Sequence, residues 1–375
     1  MTFYLTINDQ PSGVYWSQVT DVVDLLDRDK RYDVRLLALV SARGYRSIRK
    51  QIRSRCPRAI VLPMYPKMQN WQKNGSIVRW ACGMYKAGSI MARGAFATAV
   101  ALEAKKRGVV QKVCFDARGA YAAEWNEYRI IDDQNLIDSV KGVEENAVSH
   151  SDIRLAVSQA LVDHWKTEYD YRSEEHVIVP CTLGADHSET KGGAEVRKAL
   201  GVAEDDKLLV YSGSTAGWQS FDLLKKLLEP ALTADPKLKV LFLSRQDTNN
   251  EALRNQFPGQ VFVKWLNAAE VGDHLSACDL GMLVREDTVT NQVSSPTKFA
   301  EYLNAGLNVL ISPRIGDMSA FVEAHGCGQV IHDEIGQLIV PNDQERARNR
   351  GLAKQHFSKE AFSREYARIM EVIGA

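Results

Sequence analysis

Apolar and polar residues follow two different periodicities along the chain. Short apolar runs have the length of buried strands, and longer segments with apolar residues every three or four positions predict helices. Alternation of the two predicts parallel sheets with right-handed crossovers, so we expect an α/β protein with two doubly wound domains. The predicted strands are Phe3–Ile7, Val34–Val40, Ala59–Leu62, Ser89–Met91, Lys112–Phe115, Ile153–Val157, His176–Val179, Leu208–Tyr211, Val240–Leu243, Val261–Val263, Leu280–Val284, Val309–Ile311 and Gln329–Ile331.

One predicted helix carries chemistry suited to an anion. Ser295 is the expected N-cap, Pro296 suits the first helical position, and Gly306 can end the helix in a left-handed conformation. The helix start offers backbone N–H groups and the ammonium of Lys298 to a phosphate. Glu301 lies five residues past Pro296, roughly 7.5 Å along the axis at ~1.5 Å per residue. This distance suits a carboxylate that binds the ribose of a nucleotide whose diphosphate lies at the helix start. The alternative is an ordinary capped helix.

Loops that follow predicted strands in the second half hold further candidates, because ligands bind at the carboxyl ends of parallel strands. Gly213 and Ser214 follow one strand and let the backbone approach a ligand closely. Arg245 follows the next strand and is a candidate phosphate contact, although most arginines are simply exposed. Lys264 and Trp265 follow a third strand and could meet a nucleotide base, although a tryptophan is more often a packing residue.

Corresponding loops in the first half suggest an acceptor site. Gly13 opens a helix after the first strand, and Arg93 follows the strand that begins at Ser89. Asp116 and Arg118 follow another strand, with Glu124 further on. Asp116 and Arg118 are the catalytic candidates, because a carboxylate and a guanidinium in a loop can hold a polar substrate or a proton, and Gly13, Arg93 and Glu124 are the acceptor-binding candidates. A local ion pair that fixes the loop is the equally weighted alternative.

Composition and missing motifs exclude several classes of protein. Hydrophobic residues make up 45% and charged residues 25%, as in globular proteins, and no apolar run approaches the ~20 residues of a membrane span. Six scattered cysteines without a Cys-x-x-Cys pair indicate a reducing cytoplasm, and the N-terminus lacks the features of a signal peptide. No metal-ligand spacing, P-loop, Gly-x-Gly-x-x-Gly fingerprint or Gly-x-Ser-x-Gly elbow is present, so we expect no metal and no cofactor.

Charge is balanced overall but unevenly distributed. Residues 43–102 contain twelve cations and no Asp or Glu. The predicted helix 45–55 has cations on one face and apolar residues on another, and Tyr65, Trp71, Trp80 and Tyr85 follow it. This basic 43–93 stretch predicts contact with an anionic membrane surface. The alternative is a solvated helix beside an acidic segment elsewhere in the fold. Nucleic acid is disfavoured by the pI near 7.1 and by the absence of a recognisable nucleic-acid motif.

The motifs together resemble the GT-B glycosyltransferases, especially glycosyltransferase family 4. The segment SSPTKFAEYLNAGLNVLI at 294–311 is similar to the family's donor-binding motif, and LSACDLGMLV at 275–284 is similar to the segment before it. YSGS at 211–214 matches the first strand and loop of the nucleotide domain. Pieces near 156–159 and 179–181 match the end of the acceptor domain.

The resemblance implies two Rossmann-like domains facing a central cleft. The acceptor domain would cover residues 1–183 and the nucleotide-sugar domain residues 184–358, with a C-terminal helix at about 359–375 crossing back onto the first domain. Ser294, Ser295 and Thr297 would bind phosphate, Glu301 would bind ribose, and Lys298 would add catalytic charge. Transfer would retain the anomeric configuration without a metal, and the protein would neutralise the departing diphosphate.

Two departures from the family pattern concern catalysis. Val293 stands where the family often has a second glutamate, with Glu286 as a possible substitute. Gln219 stands where the glycine loop usually has a lysine, so Arg245, Arg285 or Lys298 must compensate or the donor site is weakened.

We therefore expect a cytoplasmic glycosyltransferase, peripheral at the inner face of the plasma membrane. It would transfer sugar from a nucleotide-sugar to a lipid-linked or oligosaccharide acceptor in bacterial surface polysaccharide synthesis. The two rivals are a nucleotide-sugar epimerase on the same fold and a non-catalytic sugar-nucleotide or glycan-binding subunit.

Overall fold

The chain divides into two compact units. The computed structural model describes residues 1–28, 32–65, 67–129, 132–185, 192–213 and 220–374. Unit 1 comprises Met1–Gly184 together with Lys359–Ala375, and unit 2 comprises Ala185–Ser358. The boundary expected at 183/184 lies one residue from this division.

Unit 1 contains a sheet of seven parallel strands in the order β3-β2-β1-β4-β5-β6-β7. Its strands consist mainly of Val, Leu, Ile and Ala because helices cover both faces of the sheet. The strand order reverses between β1 and β4, the switch point at which doubly wound sheets bind ligands. The strands are β1 Thr2–Ile7, β2 Val34–Ser41, β3 Ile60–Met64, β4 Ser89–Arg93, β5 Lys112–Asp116, β6 Ile153–Ala156 and β7 His176–Ile178.

The described residues of unit 1 form eight α-helices before the chain enters unit 2. They are α1 Gly13–Tyr15, α2 Asp21–Arg28, α3 Tyr45–Arg55, α4 Gly75–Tyr85, α5 Ala95–Lys106, α6 Tyr121–Tyr128, α7 Gln134–His150 and α8 Gln159–Tyr169. The apolar periodicity predicts one helix at 14–26, and the structure is helical throughout this range, with a π-helical turn, Trp16–Thr20, that joins α1 to α2. Helix α4 was missed because Gly75 and Gly83 weaken the helical signal, and α6 because it is short.

Unit 2 contains six parallel strands in the order β10-β9-β8-β11-β12-β13, which is the Rossmann order with its switch point between β8 and β11. The strands are β8 Lys207–Ser212, β9 Leu238–Leu243, β10 Val261–Lys264, β11 Leu280–Leu283, β12 Asn308–Ile311 and β13 Gly328–Val330. The helices are α9 Gly193–Leu200, α10 Phe221–Ala234, α11 Thr248–Gln256, α12 Ala268–Ser276, α13 Val289–Gln292, α14 Thr297–Asn304, α15 Met318–His325 and α16 Asp343–Phe357. All thirteen predicted strands are confirmed, and the short α13 was not foreseen.

The last helix, α17 Ser363–Val372, belongs to unit 1. Tyr366, Ile369 and Met370 are buried in the same apolar cluster as Tyr4 of β1. Lys359, at the start of this segment, donates a hydrogen bond to the Leu183 carbonyl, and its Nζ lies 3.8 Å from the Asp21 carboxylate. The C-terminal segment is thus held on the sheet of unit 1.

Candidate functional site

Polar side chains in unit 2 gather at the carboxyl ends of the strands. Gly213 follows β8, Arg245 follows β9, and Lys264 is the last residue of β10 with Trp265 directly after it. Ser214 and Gln219 lie outside the described residues. Because these strands are parallel and adjacent, the predicted donor residues of three loops share one edge of the sheet.

Helix α14 begins one residue later than the sequence indicated. Pro296 is its N-cap in extended backbone (φ −67°, ψ 124°), and no side chain caps the helix. The prediction of Ser295 as N-cap is therefore wrong; Ser295 is buried just before the helix. Gly306 has φ 84° and ends the helix as predicted, with the Leu307 amide donating to the Tyr302 carbonyl at 3.0 Å.

Lys298 and Glu301 form an ion pair on the first turns of α14. The Lys298 Nζ lies 2.7 Å from the Glu301 Oε2. Residues three apart on a helix share a face, so the pair is a direct result of the sequence spacing. The ammonium predicted for phosphate and the carboxylate predicted for ribose therefore lie side by side.

Tyr302, the next residue along, ties three elements of the edge together. Its hydroxyl accepts a hydrogen bond from the Ser212 amide at 2.9 Å and donates one to the Met282 carbonyl at 3.3 Å. Its ring lies against Gly281, where an added Cβ would come within 2.3 Å of ring carbons. This fully buried tyrosine fixes the ends of β8 and β11 relative to α14, and the sequence reasoning did not identify it.

Arg245 and Trp265 come together as the shared edge predicts. The guanidinium carbon of Arg245 lies 4.9 Å from the centre of the exposed Trp265 ring, within the range of a cation–π contact. The two residues form a flat, positively charged surface at the ends of β9 and β10.

Arg285 follows β11 at the switch point of unit 2. Its amide donates to the Ser312 hydroxyl at 2.9 Å, and its Nη1 donates to the Asn291 Oδ1 at 3.3 Å. Burial raises the pKa of Tyr211 on β8, and the charge of Arg285 opposes that rise. Arg285 thus lies close to the end of β8. Val293 is buried, whereas Glu286 is exposed and its amide donates to the Ser220 hydroxyl at 2.9 Å.

The candidate residues of unit 1 form a buried ionic network. Asp116 is fully buried and accepts hydrogen bonds from the Tyr4 hydroxyl and the Arg118 Nη2, and its Oδ1 lies 2.7 Å from the Arg118 Nε. Burial acts to lower the pKa of Arg118, but Asp116, together with Tyr4, Cys181 and Tyr366, outweighs it and holds that pKa well above its ordinary value. The local ion pair considered from the sequence is present.

Arg93 joins this network at the switch point of unit 1. Its Nη1 lies 3.8 Å from Asp116, and its Nε lies 3.7 Å from Asp9, which follows β1. Burial raises the pKa of Asp9, and the charge of Arg93 opposes that rise. The sequence reasoning missed Asp9, although its place two residues after a predicted strand was a usable signal.

The other two acceptor candidates differ in their surroundings. Glu124 lies on α6, and burial raises its pKa. The same helix begins with Tyr121, whose hydroxyl oxygen would lie 2.8 Å from a Cβ added to Gly94, next to Arg93. Gly13 is exposed at the start of α1, which the Ser12 side chain caps.

The basic 43–93 stretch forms two separate surfaces. Ile48 and Ile52 of α3 are buried in the apolar cluster that contains Tyr4, whereas Val78 and Ala81 of α4 are buried in the cluster that contains Phe3. Successive residues of a strand point to opposite faces, so the sheet separates α3 from α4. Of the aromatic residues, Trp71 is buried against Phe96, with ring centres 5.2 Å apart, and is unavailable to a membrane; Tyr65, Trp80 and Tyr85 are exposed.

One arginine of the basic stretch has the acidic partners that the sequence left as an alternative. Arg58 pairs with both Asp27 and Asp33. Within the described ranges, Arg46, Arg49, Lys50 and Arg53 of α3 have no carboxylate within ion-pair distance. Among the same residues, no cluster of three potential metal ligands is present, and no helix is long and apolar enough to cross a membrane.

These two units, each a parallel sheet with helices on both faces, have the architecture of the GT-B fold, and comparison with solved structures confirms it. HepE from Anabaena, in complex with UDP, superposes with a TM-score of 0.68 at 13% identity over 99% of each chain. Sucrose-phosphate synthase from Thermosynechococcus elongatus gives a TM-score of 0.70 at 11% identity over 99% of this chain and 98% of that one. WaaG, a glycosyltransferase involved in lipopolysaccharide biosynthesis, gives 0.64 at 14% identity over 100% of both chains.

The fold is shared with a second class of enzyme. UDP-GlcNAc 2-epimerase from Neisseria meningitidis superposes with a TM-score of 0.55 at 11% identity, over 99% of this chain and 98% of that one. No protein-family model and no curated sequence matches this chain. At these identities the comparisons establish the fold, and the chemistry has to be argued from the residues.

Proposed function

We propose that this chain is a retaining glycosyltransferase that uses a nucleotide-sugar donor and requires no metal. The observation that carries the proposal is the Lys298–Glu301 pair on α14, at the carboxyl edge of a Rossmann sheet. A nucleoside diphosphate presents ribose hydroxyls and phosphate oxygens about one helical turn apart, and positions 298 and 301 are nearly one turn apart along the axis of α14. HepE, which shares the fold, has been solved with UDP and with UDP-glucose.

The donor would lie along the edge of unit 2 in a defined direction. Glu301 accepts hydrogen bonds from ribose, and Ser294, Ser295 and Thr297 contact phosphate beside Lys298. Gly213 leaves space for the diphosphate, and the surface formed by Arg245 and Trp265, with Lys264 beside it, receives the base. Stacking on an aromatic ring and a guanidinium plane stabilises a planar base through its π-face.

Arg285 is the proposed substitute for the lysine that the glycine loop lacks. Arg285 follows β11 at the switch point of unit 2, where its Nη1 donates a hydrogen bond to the Asn291 Oδ1. Arg245 lies one strand further away, at the end of β9, and Lys298 lies on α14 beside Glu301. As the sugar leaves the diphosphate, negative charge grows on the phosphate oxygens, and a fixed cation there stabilises the transition state. A phosphate oxygen of the donor takes the proton of the acceptor hydroxyl, which gives retention without a protein base.

In unit 1 we propose that the acceptor meets Arg93, with Glu124 and Gly13 at the margins. Asp116 and Arg118 were predicted to be catalytic. The enclosure of Asp116 by Tyr4 and Arg118 favours a positioning role for it, because a carboxylate without solvent contact cannot readily exchange a proton with substrate. Asp116 would hold Arg93 and Arg118 in place for a polar acceptor.

The acceptor class is proposed from two supports. WaaG acts in lipopolysaccharide biosynthesis, and the basic stretch of unit 1 suits an anionic lipid surface. We therefore propose a lipid-linked or oligosaccharide acceptor, a role in surface polysaccharide synthesis, and a peripheral position at the inner face of the plasma membrane.

The test combines binding with turnover. Titration calorimetry with UDP should show binding that the Glu301→Ala variant weakens about 10–100-fold, the effect of removing a charged hydrogen-bond acceptor. Glu323→Ala, which removes an exposed carboxylate on α15 of the same unit, is the matched control. Unchanged UDP affinity in the Glu301 variant would refute the ribose contact.

Turnover separates the proposal from its rivals. Incubation with a panel of nucleotide-sugars and glycan acceptors should give a new glycosidic bond of unchanged anomeric configuration by NMR, also in the presence of a chelator. Conversion of UDP-GlcNAc to its epimer without acceptor would identify an epimerase. Nucleotide binding with no product from any donor would identify a binding subunit.

A further inference from the structure

Helix α4 of unit 1 exposes a narrow apolar face to solvent. Trp80 and Met84 lie one turn apart on this face and are 53% and 58% exposed. Ser76 and Gly83 complete the exposed stripe, and the opposite side of the helix is buried against the sheet. Neighbouring exposed apolar side chains with a polar rim are candidates for a binding surface.

Three cations lie close to this face in the sequence. Lys73 precedes the helix, Arg79 lies beside Trp80, and Lys86 follows the last turn. In the part of the chain that the structure describes, none of the three is in an ion pair with a carboxylate. The charge of Arg79 reaches Glu103 on α5, but Glu103 is paired with Arg107 at 2.6 Å.

The cationic face of α3 cannot belong to the same contact surface. It lies beyond the other face of the sheet, so the two helices are separated by roughly 20 Å, about two helix diameters. Charges on α3 are then more than one Debye length, about 10 Å at moderate salt, from anything that touches α4. Helix α3 also exposes no large apolar side chain. Of these two helices, α4 is the one that combines exposed large apolar side chains with cations.

We propose that the α4 face docks on the surface of an anionic lipid bilayer. Tryptophan favours the headgroup level, where its ring is partly buried and its N–H stays hydrated. Met84 would enter beside it, while Lys73, Arg79 and Lys86 meet lipid phosphates. Two side chains are too few for a second copy of the chain, since a stable dimer buries about 800 Å² per partner. The inference rests on the proposed function in one respect: the α4 face would be the surface from which the enzyme reaches a lipid-linked acceptor.

Vesicle sedimentation with three variants tests this assignment. The Trp80→Ser/Met84→Ser variant should bind phosphatidylglycerol-containing vesicles at least about tenfold more weakly than the wild type, because its apolar contacts are gone. The matched control is Ile339→Ser/Val340→Ser, which removes two residues of unit 2 that are 53% and 40% exposed. The third variant, Arg46→Gln/Arg49→Gln/Lys50→Gln/Arg53→Gln, should retain most of the binding.

Each contrary result overturns the proposal. One such result is that the α3 variant loses vesicle binding while the Trp80/Met84 variant keeps it. The others are equal vesicle binding by all variants and no vesicle binding by the wild type. A concentration-dependent dimer of the wild type that the Trp80/Met84 variant abolishes would assign the face to a second copy instead. UDP affinity, measured without vesicles, should be the same in all three variants, so failure of the donor site and failure of the membrane surface are read separately.

Discussion

The hydroxyl of Tyr302 offers a sharp test of how the donor edge is held together. Tyr302→Phe leaves the ring against Gly281 and removes one oxygen. That oxygen accepts from the Ser212 amide at 2.9 Å and donates to the Met282 carbonyl at 3.3 Å. The Ser212 amide lies at the buried end of β8, so no water replaces the lost partner. A buried amide left without a partner costs about 1–3 kcal/mol.

This cost should appear as a lower melting temperature of unit 2. For a unit of this size, about 1–3 kcal/mol corresponds to a fall in Tm of about 2–12 °C in scanning calorimetry. Tyr65→Phe, at an exposed position of unit 1, is the control and should change Tm within error. Because Gly213 follows Ser212 directly, the Tyr302 variant should also bind UDP more weakly. A Tm equal to that of the control would show that the hydroxyl does not hold the edge.

Three further substitutions test the charges on both units. Asp116→Asn should lower the free energy of unfolding in urea by about 3–5 kcal/mol, because Arg118 becomes a buried charge without its counterion; a loss below about 1 kcal/mol would contradict this. Burial raises the pKa of Glu144 on α7 to about 7. The protonated carboxyl therefore contributes fully to the free energy of unfolding below the pKa that Glu144 has in the unfolded chain, and this contribution is lost as pH rises through 7. The free energy of unfolding of the wild type, relative to that of Glu144→Gln, should therefore fall between about pH 5 and about pH 8. Urea unfolding that gives the same pH dependence for both proteins would exclude the raised pKa. Arg285→Ala should weaken UDP binding at least about tenfold and uridine binding little, whereas Arg254→Ala, on α11 of the same unit, should change neither; equal losses for both ligands would place Arg285 away from the phosphates.

The strands and the fold class were readable from the sequence because the central strands are buried on both faces. Segments such as Val34–Val40 and Leu280–Val284 contain few polar residues, and each is followed by a loop with small or charged residues. This pattern does not depend on the details of side-chain packing. Helix α4 was missed because two glycines weaken its signal, and α6 because it is short. The N-cap at Pro296 was missed because Ser295 is buried in the interior.

Residue partners were less predictable than elements. The Lys298–Glu301 pair follows from helical spacing alone, but the contact of Arg93 with Asp9 joins residues 84 positions apart and depends on the strand order β1-β4. The placement of the basic 43–93 stretch also depends on the strand order and could not be predicted from the sequence. Helices α3 and α4 are close in sequence, yet the crossover from β3 to β4 places α4 on the other face of the sheet. Sequence proximity therefore suggested one basic surface, whereas the fold separates α3 and α4 by the sheet.

The switch points explain why the polar residues of each unit gather where they do. In both sheets the strand order reverses beside the first strand, which opens a crevice between the carboxyl ends of β1 and β4 and of β8 and β11. Asp9 and Arg93 flank the first crevice, and Gly213 and Arg285 flank the second. A residue one strand further away, such as Arg245, has to reach the ligand from the side, which suits a base better than a diphosphate. The topology therefore favours Arg285 over Arg245 as the phosphate cation, and this preference holds whatever sugar the donor carries.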